Sequence, residues 1–291
     1  MDQNDNIQSE GIRILMSTTG IQWHHRVAGN RYCLVGLQIG EVHSNYWKLV
    51  FRKSWLAYAR RHGYDLMIVE DFIDRTAGAD EAAIKFQKLL LPSLGELRKY
   101  DKLVYLDSDM LLTGHAPCVA SEVSKGKVGM VSQVTIPFRE WFHYIQPIRG
   151  GEPTVEAYYQ THLLEEEERS MATGVDDVFN GGLMVCEPGH AEAFRELYEE
   201  KKHTLSRRKG HVDQPLVSCR LSELGLIEAL DFRFNVIFSM WFALHYRFIR
   251  DDDEQAMRSA LECTLPLVYF LHFPAMRGVK YLPAPYFDTG S

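Results

Sequence analysis

The sequence has no run of the roughly eighteen apolar residues that a membrane-crossing helix needs, although 46% of its 291 residues are hydrophobic. The first ten residues, M-D-Q-N-D-N-I-Q-S-E, are polar and acidic. With no basic start leading into an apolar segment, they do not read as a secretory signal. Cysteine is scarce: Cys33, Cys118, Cys186, Cys219 and Cys263 are odd in number, scattered, and contain no C-x-x-C pair. That pattern excludes a zinc ribbon or a disulfide framework and fits buried free thiols in a reducing compartment, so a cytoplasmic protein is expected. Positive charge is also short. The net charge is −7, so no general attraction to nucleic acid or to an anionic membrane is expected, although peripheral membrane contact through a small patch stays open. There is no internal repeat and no low-complexity linker. What remains is an ordinary globular composition, enough for one large α/β domain or two small ones.

The pattern of apolar residues alternates between strand and helix. I-R-I-L-M-S (12–17) reads as a first strand, and residues 18–44, with Gly29, Gly36 and Gly40, read as irregular. A helix is expected over about 45–62, burying Tyr46, Leu49, Val50, Ser54, Ala57 and Tyr58, with Gly63 as its carboxyl cap. Residues 64–70 form the next strand. A second helix starts at Asp80 as N-cap, carries Ile84 and Leu91, and is broken or kinked at Pro92. Strands follow at 102–107 and 128–134, then at 181–186, and a last buried strand at 266–272 ends on a histidine. Residues 190–209 read as a charged surface helix, and the acidic runs at 165–168 and 251–254 as a solvated helix face and a solvated turn. Phe138, Trp141, Phe142 and Tyr144 read as core, with a stacking platform for an acceptor sugar as the other reading. Strands alternating with helices imply an α/β fold with a mostly parallel sheet flanked by helices.

One stretch is chemically out of place. Y-D-K-L-V-Y-L-D-S-D-M-L-L (100–112) carries two acids at the end of a buried strand. Residues i and i+2 of an extended chain face the same side, so Asp107 and Asp109 converge. Open α/β sheets place ligands at the carboxyl ends of their strands. Two converging carboxylates there call for a cation, and oxygen donors suit Mg²⁺ or Mn²⁺. A phosphatase of the haloacid-dehalogenase type would carry its D-x-D after the first strand and follow it with Gly-Thr or similar; here Met110, Leu111 and Leu112 follow.

Six segments, in order, resemble those of GT-A-fold glycosyltransferases of the glycogenin-like and bacterial lipopolysaccharide galactosyltransferase family. They are K-L-L-L-P-S-L (88–94), the D-S-D stretch, F-N-G-G-L-M-V-C (179–186), D-Q-P-L (213–216), L-D-F-R-F-N (230–235) and H-F-P-A-M-R-G-V-K (272–280). The resemblance implies a single GT-A-type, Rossmann-like domain over 1–291. Its nucleotide-binding half would span about 11–134 and its acceptor-side half about 135–291. It also implies a metal-dependent transfer of a sugar from a nucleoside diphosphate-sugar, with a UDP-sugar favoured, to a hydroxyl on a saccharide, lipid-linked or protein acceptor, with retention at the anomeric carbon. By resemblance, Asp107, Asp109 and His272 are the metal ligands. Asn180, Asp213 and Gln214 hold the donor sugar. Lys88, Asp107, Ser108, Gly181, Gly182, Gly278 and Arg277 or Lys280 contact the donor. A histidine closing an apolar strand is otherwise usually a hydrogen-bonded core residue. A nitrogen ligand beside two carboxylates favours Mn²⁺. The family separates the histidine from the glycine by two residues; here five separate His272 from Gly278, and Lys280 follows one residue later.

Two other classes stay open. A nucleotidyltransferase also holds metal and nucleotide on acids at a strand end; the stretch T-T-G-I-Q-W-H-H-R lacks its glycine-rich phosphate loop but keeps His24, His25 and Arg26. A non-catalytic nucleotide-sugar-binding protein could keep the same site without turnover.

Overall fold

The structure is a computed structural model describing residues 20–76, 78, 80–135, 143–144, 151–208, 212–250 and 253–286. The strand expected at 12–17, the aromatic residues Phe138, Trp141 and Phe142, and Asp251 and Asp252 lie outside them, whereas Tyr144, expected in the core with those aromatics, is exposed.

The strands are β1 (Ile21–His25), β2 (Tyr32–Leu37), β3 (Tyr64–Val69), β4 (Lys102–Leu106), β5 (Met110–Leu112), β6 (Val128–Ser132), β7 (Phe179–Cys186), β8 (Ile227–Ala229), β9 (Val236–Ile237) and β10 (Phe270–His272). Seven of them form one mixed sheet in the order β1-β3-β2-β4-β7-β6-β8. The β3–β2, β2–β4 and β6–β8 pairs are parallel, and the β1–β3, β4–β7 and β6–β7 pairs are antiparallel. A second sheet orders β5-β10-β9. Helices α1 (Glu41–Tyr46) and α2 (Arg52–His62) are joined by a π-helical turn, and α3 (Glu81–Phe86) runs into a 3₁₀ segment at Gln87–Ser93. The others are α4 (Val155–His162), α5 (Glu166–Met171), α6 (Ala191–Lys201), α7 (Gln214–Glu223), α8 (Phe238–His245) and α9 (Glu254–Thr264).

Strand alternation sorts the core into two layers. Cys33, Val35 and Leu37 of β2 face a cluster built with α3, α6 and α7, while Leu34 faces one built with α2, α9 and the small sheet. The expected signals work at the element ends. The Asp80 side chain accepts the Ala83 backbone N–H at 2.8 Å, and Gly63 takes the left-handed conformation (φ 70°) that ends α2.

Several expectations change. Residues 18–44 are not irregular: they hold β1 and the central strand β2. Gly36 looks like a strand breaker in sequence, yet a Cβ there would sit 2.8 Å from the Trp55 ring, so glycine is what lets α2 lie on the sheet. The helical face is rotated as well. Trp47, Phe51, Trp55, Tyr58 and Ala59 are buried with Val50, whereas Tyr46 and Leu49 are exposed, because the larger aromatic surfaces gain more by burial. The last strand covers only Phe270–His272, the residues before it forming a 3₁₀ turn.

A further change concerns the acidic run. Glu168 is buried, accepting a hydrogen bond from the Arg208 guanidinium and facing the Lys201 ammonium at 3.2 Å, while Glu166 and Glu167 are exposed. Burial alone would raise the Glu168 carboxyl, but the bond to and charge of Arg208 outweigh it and hold the group below its ordinary 4.5. A carboxyl depressed in the folded state adds stability above its unfolded value and loses it as pH falls through the folded one. Glu168→Gln should therefore cost about 3–5 kcal/mol near neutral pH and flatten the acid limb of stability. Urea unfolding of both proteins from about pH 7 down to pH 3 checks this.

Candidate functional site

The apolar run of β4 leaves the main sheet at Asp107 and enters the small sheet at Met110. Backbone bonds pin both ends of this crossing. The Asp107 N–H donates to the Gly182 carbonyl at 2.8 Å, the Phe273 N–H to the Asp109 carbonyl at 3.0 Å, and the Trp55 indole N–H to the Met110 carbonyl at 2.7 Å. Antiparallel pairing of β10 with β5 sets His272 opposite Met110. Its Nε2 lies 3.1 Å from an Asp109 oxygen and 3.8 Å from an Asp107 oxygen.

One donor atom from each of Asp107, Asp109 and His272 falls within 4.8 Å of the others, making these three a candidate metal site. The residues fit such a group. Two carboxylates and one imidazole form a donor set suited to Mg²⁺ or a first-row divalent cation. The cradle is also specific, since a Cβ at Gly182 would sit 2.6 Å from the His272 ring. Burial would lower the His272 imidazole, but the charge of Asp109 beside it wins and raises it. Burial pushes the Asp107 carboxyl up, and the charges of Lys88 and His272 with the Tyr105 hydrogen bond more than reverse that. Ser108 is half-buried between the two acids.

Lys88 comes from the 3₁₀ segment after α3 and is only 4% exposed. Its Nζ lies 2.6 Å from Asp213 and 3.8 Å from Asp107, donates to the Gly181 carbonyl at 3.0 Å, and stands 5.2 Å from the Tyr105 ring centroid. Burial would lower this ammonium, but the two carboxylates hold it up. Gly181 is required here, because a Cβ would come within 2.7 Å of the Asp213 carboxylate.

Asn180 on β7 and Gln214 on α7 are buried and bonded to each other, the Asn180 Nδ2 donating to the Gln214 Oε1 at 3.1 Å. Asp213 precedes Gln214 at the start of α7; its side chain makes no capping bond and turns to Lys88. Lys88, Asp107, Asp109, Asn180, Gly181, Gly182, Asp213, Gln214 and His272 thus come together from five separate stretches of chain.

Arg277 and Lys280 do not join them. Both are exposed, and neither pairs with Asp107 or Asp109; Lys280 lies against the Tyr281 ring at 4.7 Å. Gly278 has a positive φ of 88° and packs on Phe238, where a Cβ would approach the ring to 2.2 Å. Between His272 and Gly278, Ala275 and Met276 also take positive φ, 56° and 59°.

Four residues of the site escape the sequence reading. Tyr105 donates to Asp107 at 2.5 Å; it lies two residues before Asp107, so strand period alone could have found it. Asn235 bonds both His272 and Asn180, and its L-D-F-R-F-N segment carried the resemblance without a role for this residue. Gln133 and Tyr158 bond the Gln214 amide at 3.1 and 2.9 Å from distant positions, with no local signal. A cleft of about 200 Å³ lies elsewhere, between α2 and β5, lined by Tyr58, Arg61, Leu112 and Tyr286 among others.

No family model matches the sequence, and no curated protein does. Solved structures do. A glycosyltransferase involved in glycosylation of the major capsid of PBCV-1 is similar over 86% of this chain and 98% of its own, at 11% identity and a TM-score of 0.51. The bifunctional glycosyltransferase WbbM is similar over 86% of this chain and 46% of its own, at 15% identity and a TM-score of 0.50. The galactosyltransferase LgtC, solved with donor and acceptor sugar analogues, aligns over 85% and 93% at 12% identity and a TM-score of 0.46. At such identities the likeness is one of architecture: the chain has the GT-A fold of glycosyltransferases.

Proposed function

We propose that this protein is a metal-dependent glycosyltransferase. It moves a sugar from a nucleoside diphosphate-sugar to a hydroxyl acceptor, with retention as the sequence resemblance implies. The observation that carries this reading is the convergence of Asp107, Asp109 and His272 at a strand end of a GT-A fold. It is supported by the Lys88, Asp213, Asn180 and Gln214 cluster beside them.

Asp107 and Asp109 offer carboxylate oxygens and His272 its Nε2 to Mn²⁺, with Mg²⁺ as the other candidate. Such an ion, when bound, neutralises charge on a departing diphosphate. Asp213, Asn180 and Gln214 orient the donor sugar through hydrogen bonds. Gly181 and Gly182 let it approach the backbone. Lys88 pairs with Asp107 and Asp213 and holds both carboxylates in place. Arg277 or Lys280 is the cation left for the diphosphate. Residues 11–134 form the nucleotide side and 135–291 the acceptor side. Among the described residues no helix is long and apolar enough to cross a membrane, and the cytoplasmic location stays part of the proposal.

A panel of nucleoside diphosphate-sugars, each with Mn²⁺ or with EDTA, tests the reading through release of nucleoside diphosphate and sugar. Slow hydrolysis of one donor, dependent on Mn²⁺, is expected without any acceptor. Absence of both hydrolysis and donor binding across the panel would contradict it.

A further inference from the structure

The row of buried amides running away from the metal site has a fixed sense, and one backbone group sets it. The Gly182 N–H donates to the Asn180 side-chain oxygen at 2.8 Å. A backbone N–H can only donate, so the oxygen of Asn180, and not its NH₂, must face this point. The Asn235 amide meets that same oxygen at 2.8 Å. It must therefore present its NH₂ to Asn180, which leaves its own Oδ1 for His272 Nδ1, 3.0 Å away. An oxygen that only accepts requires a proton on Nδ1. The lone pair of the neutral ring is then left on Nε2, the nitrogen that faces Asp107 and Asp109. On the other side the Asn180 NH₂ faces the Gln214 Oε1, so the Gln214 NH₂ faces Gln133 and Tyr158. The donors of His272, Asn235, Asn180 and Gln214 thus all point away from the cation site.

We propose that Asn235 is a positioning residue. It holds His272 in the Nδ1–H tautomer, with Nε2 free for a divalent cation, and in the same contact fixes the orientation of Asn180 next to Gln214. Asn235 is wholly buried, and nothing but these two partners occupies its amide among the described hydrogen bonds. Among the described hydrogen bonds it makes none to Asp107 or Asp109. Its effect passes through the imidazole on one side and through the donor-sugar amides on the other. Outer groups that orient a ligating imidazole typically carry tenfold to a hundredfold in metal affinity.

The inference rests on the reading of Asp107, Asp109 and His272 as a metal site, and two variants separate the claims. Mn²⁺ affinity is measured by the loss of the free-ion electron paramagnetic resonance signal, with no donor present and with melting temperature recorded for each protein. If wild type binds no Mn²⁺, the metal-site reading itself fails. If it binds, Asn235→Leu is expected to weaken affinity by about tenfold to a hundredfold. Asn235→Asp keeps an oxygen toward His272 and is expected to stay within about threefold of wild type for Mn²⁺. That carboxylate sets an oxygen against the Asn180 oxygen, so binding of a donor analogue at saturating Mn²⁺ should weaken. The second variant keeps the size of the site and the oxygen toward His272, so it tests the assignment even where the leucine variant does not fold. A folded Asn235→Leu protein with wild-type affinity, or an Asn235→Asp protein as weak as a metal-ligand variant, would overturn the assignment.

Discussion

Asp109→Ala is expected to lower Mn²⁺-dependent donor cleavage on the order of a thousandfold. Removing a single group that stabilises developing charge commonly costs a hundredfold to a thousandfold, and here the residue removed is also one of the three candidate ligand side chains found among the described residues. The fold should survive. The Asp109 side chain keeps some exposure, and its backbone bond to Phe273 does not depend on the side chain. The loss should appear in kcat and in the Mn²⁺ requirement together, and excess metal should not restore it fully. Steady-state release of nucleoside diphosphate across a Mn²⁺ titration measures this. A variant retaining more than about a tenth of wild-type turnover would place the reaction elsewhere.

Lys88→Met is expected to be the most destabilising change in the site, by about 3–5 kcal/mol, because it strips a buried carboxylate of its partner. The lysine side chain is 4% exposed and that of Asp213 is 9% exposed, so water cannot replace the lost charge. The Asp107 carboxyl, held low chiefly against burial by this ammonium, should rise, and metal binding should weaken with it. Adding Asp213→Asn to Lys88→Met removes the stranded charge and should recover much of the stability but not the activity. Urea unfolding of the two single variants and the double variant reads out the coupling. A cost below about 1 kcal/mol for Lys88→Met would show that the pair contributes little.

The two acids and the terminal histidine were legible because their signal is local. Asp107 and Asp109 share a side by strand period, and each interrupts an apolar run. Asn180, Asp213 and Gln214 were found only through the order of motifs, since an N-G-G or D-Q stretch alone is an ordinary turn or helix start. Asn235, Gln133 and Tyr158 were not found because their meaning is relational: each is defined by a hydrogen bond to a residue at least 37 positions away. The fold shows the same division. Strand β3 and the cap of α3 follow from local pattern, whereas β2 hides behind a glycine whose reason is the Trp55 ring across the core. The strands of the small sheet are two or three residues long, too short for any periodicity to show, and the pairing that carries His272 to Asp109 is long-range.

The central claim is that Asp107, Asp109 and His272 bind a divalent cation that serves a nucleotide-sugar donor. The most direct measurement is the melting temperature of wild type and Asp109→Ala with Mn²⁺ alone, with UDP alone and with both. A ligand present at about one hundred times its dissociation constant stabilises by about 2.7 kcal/mol, roughly 5 °C or more for a chain of this size. The account predicts a shift of that order for wild type with both ligands, much smaller with UDP alone, and absent in Asp109→Ala. An equal shift in the variant, or none in wild type with UDP or any other nucleoside diphosphate, would contradict it.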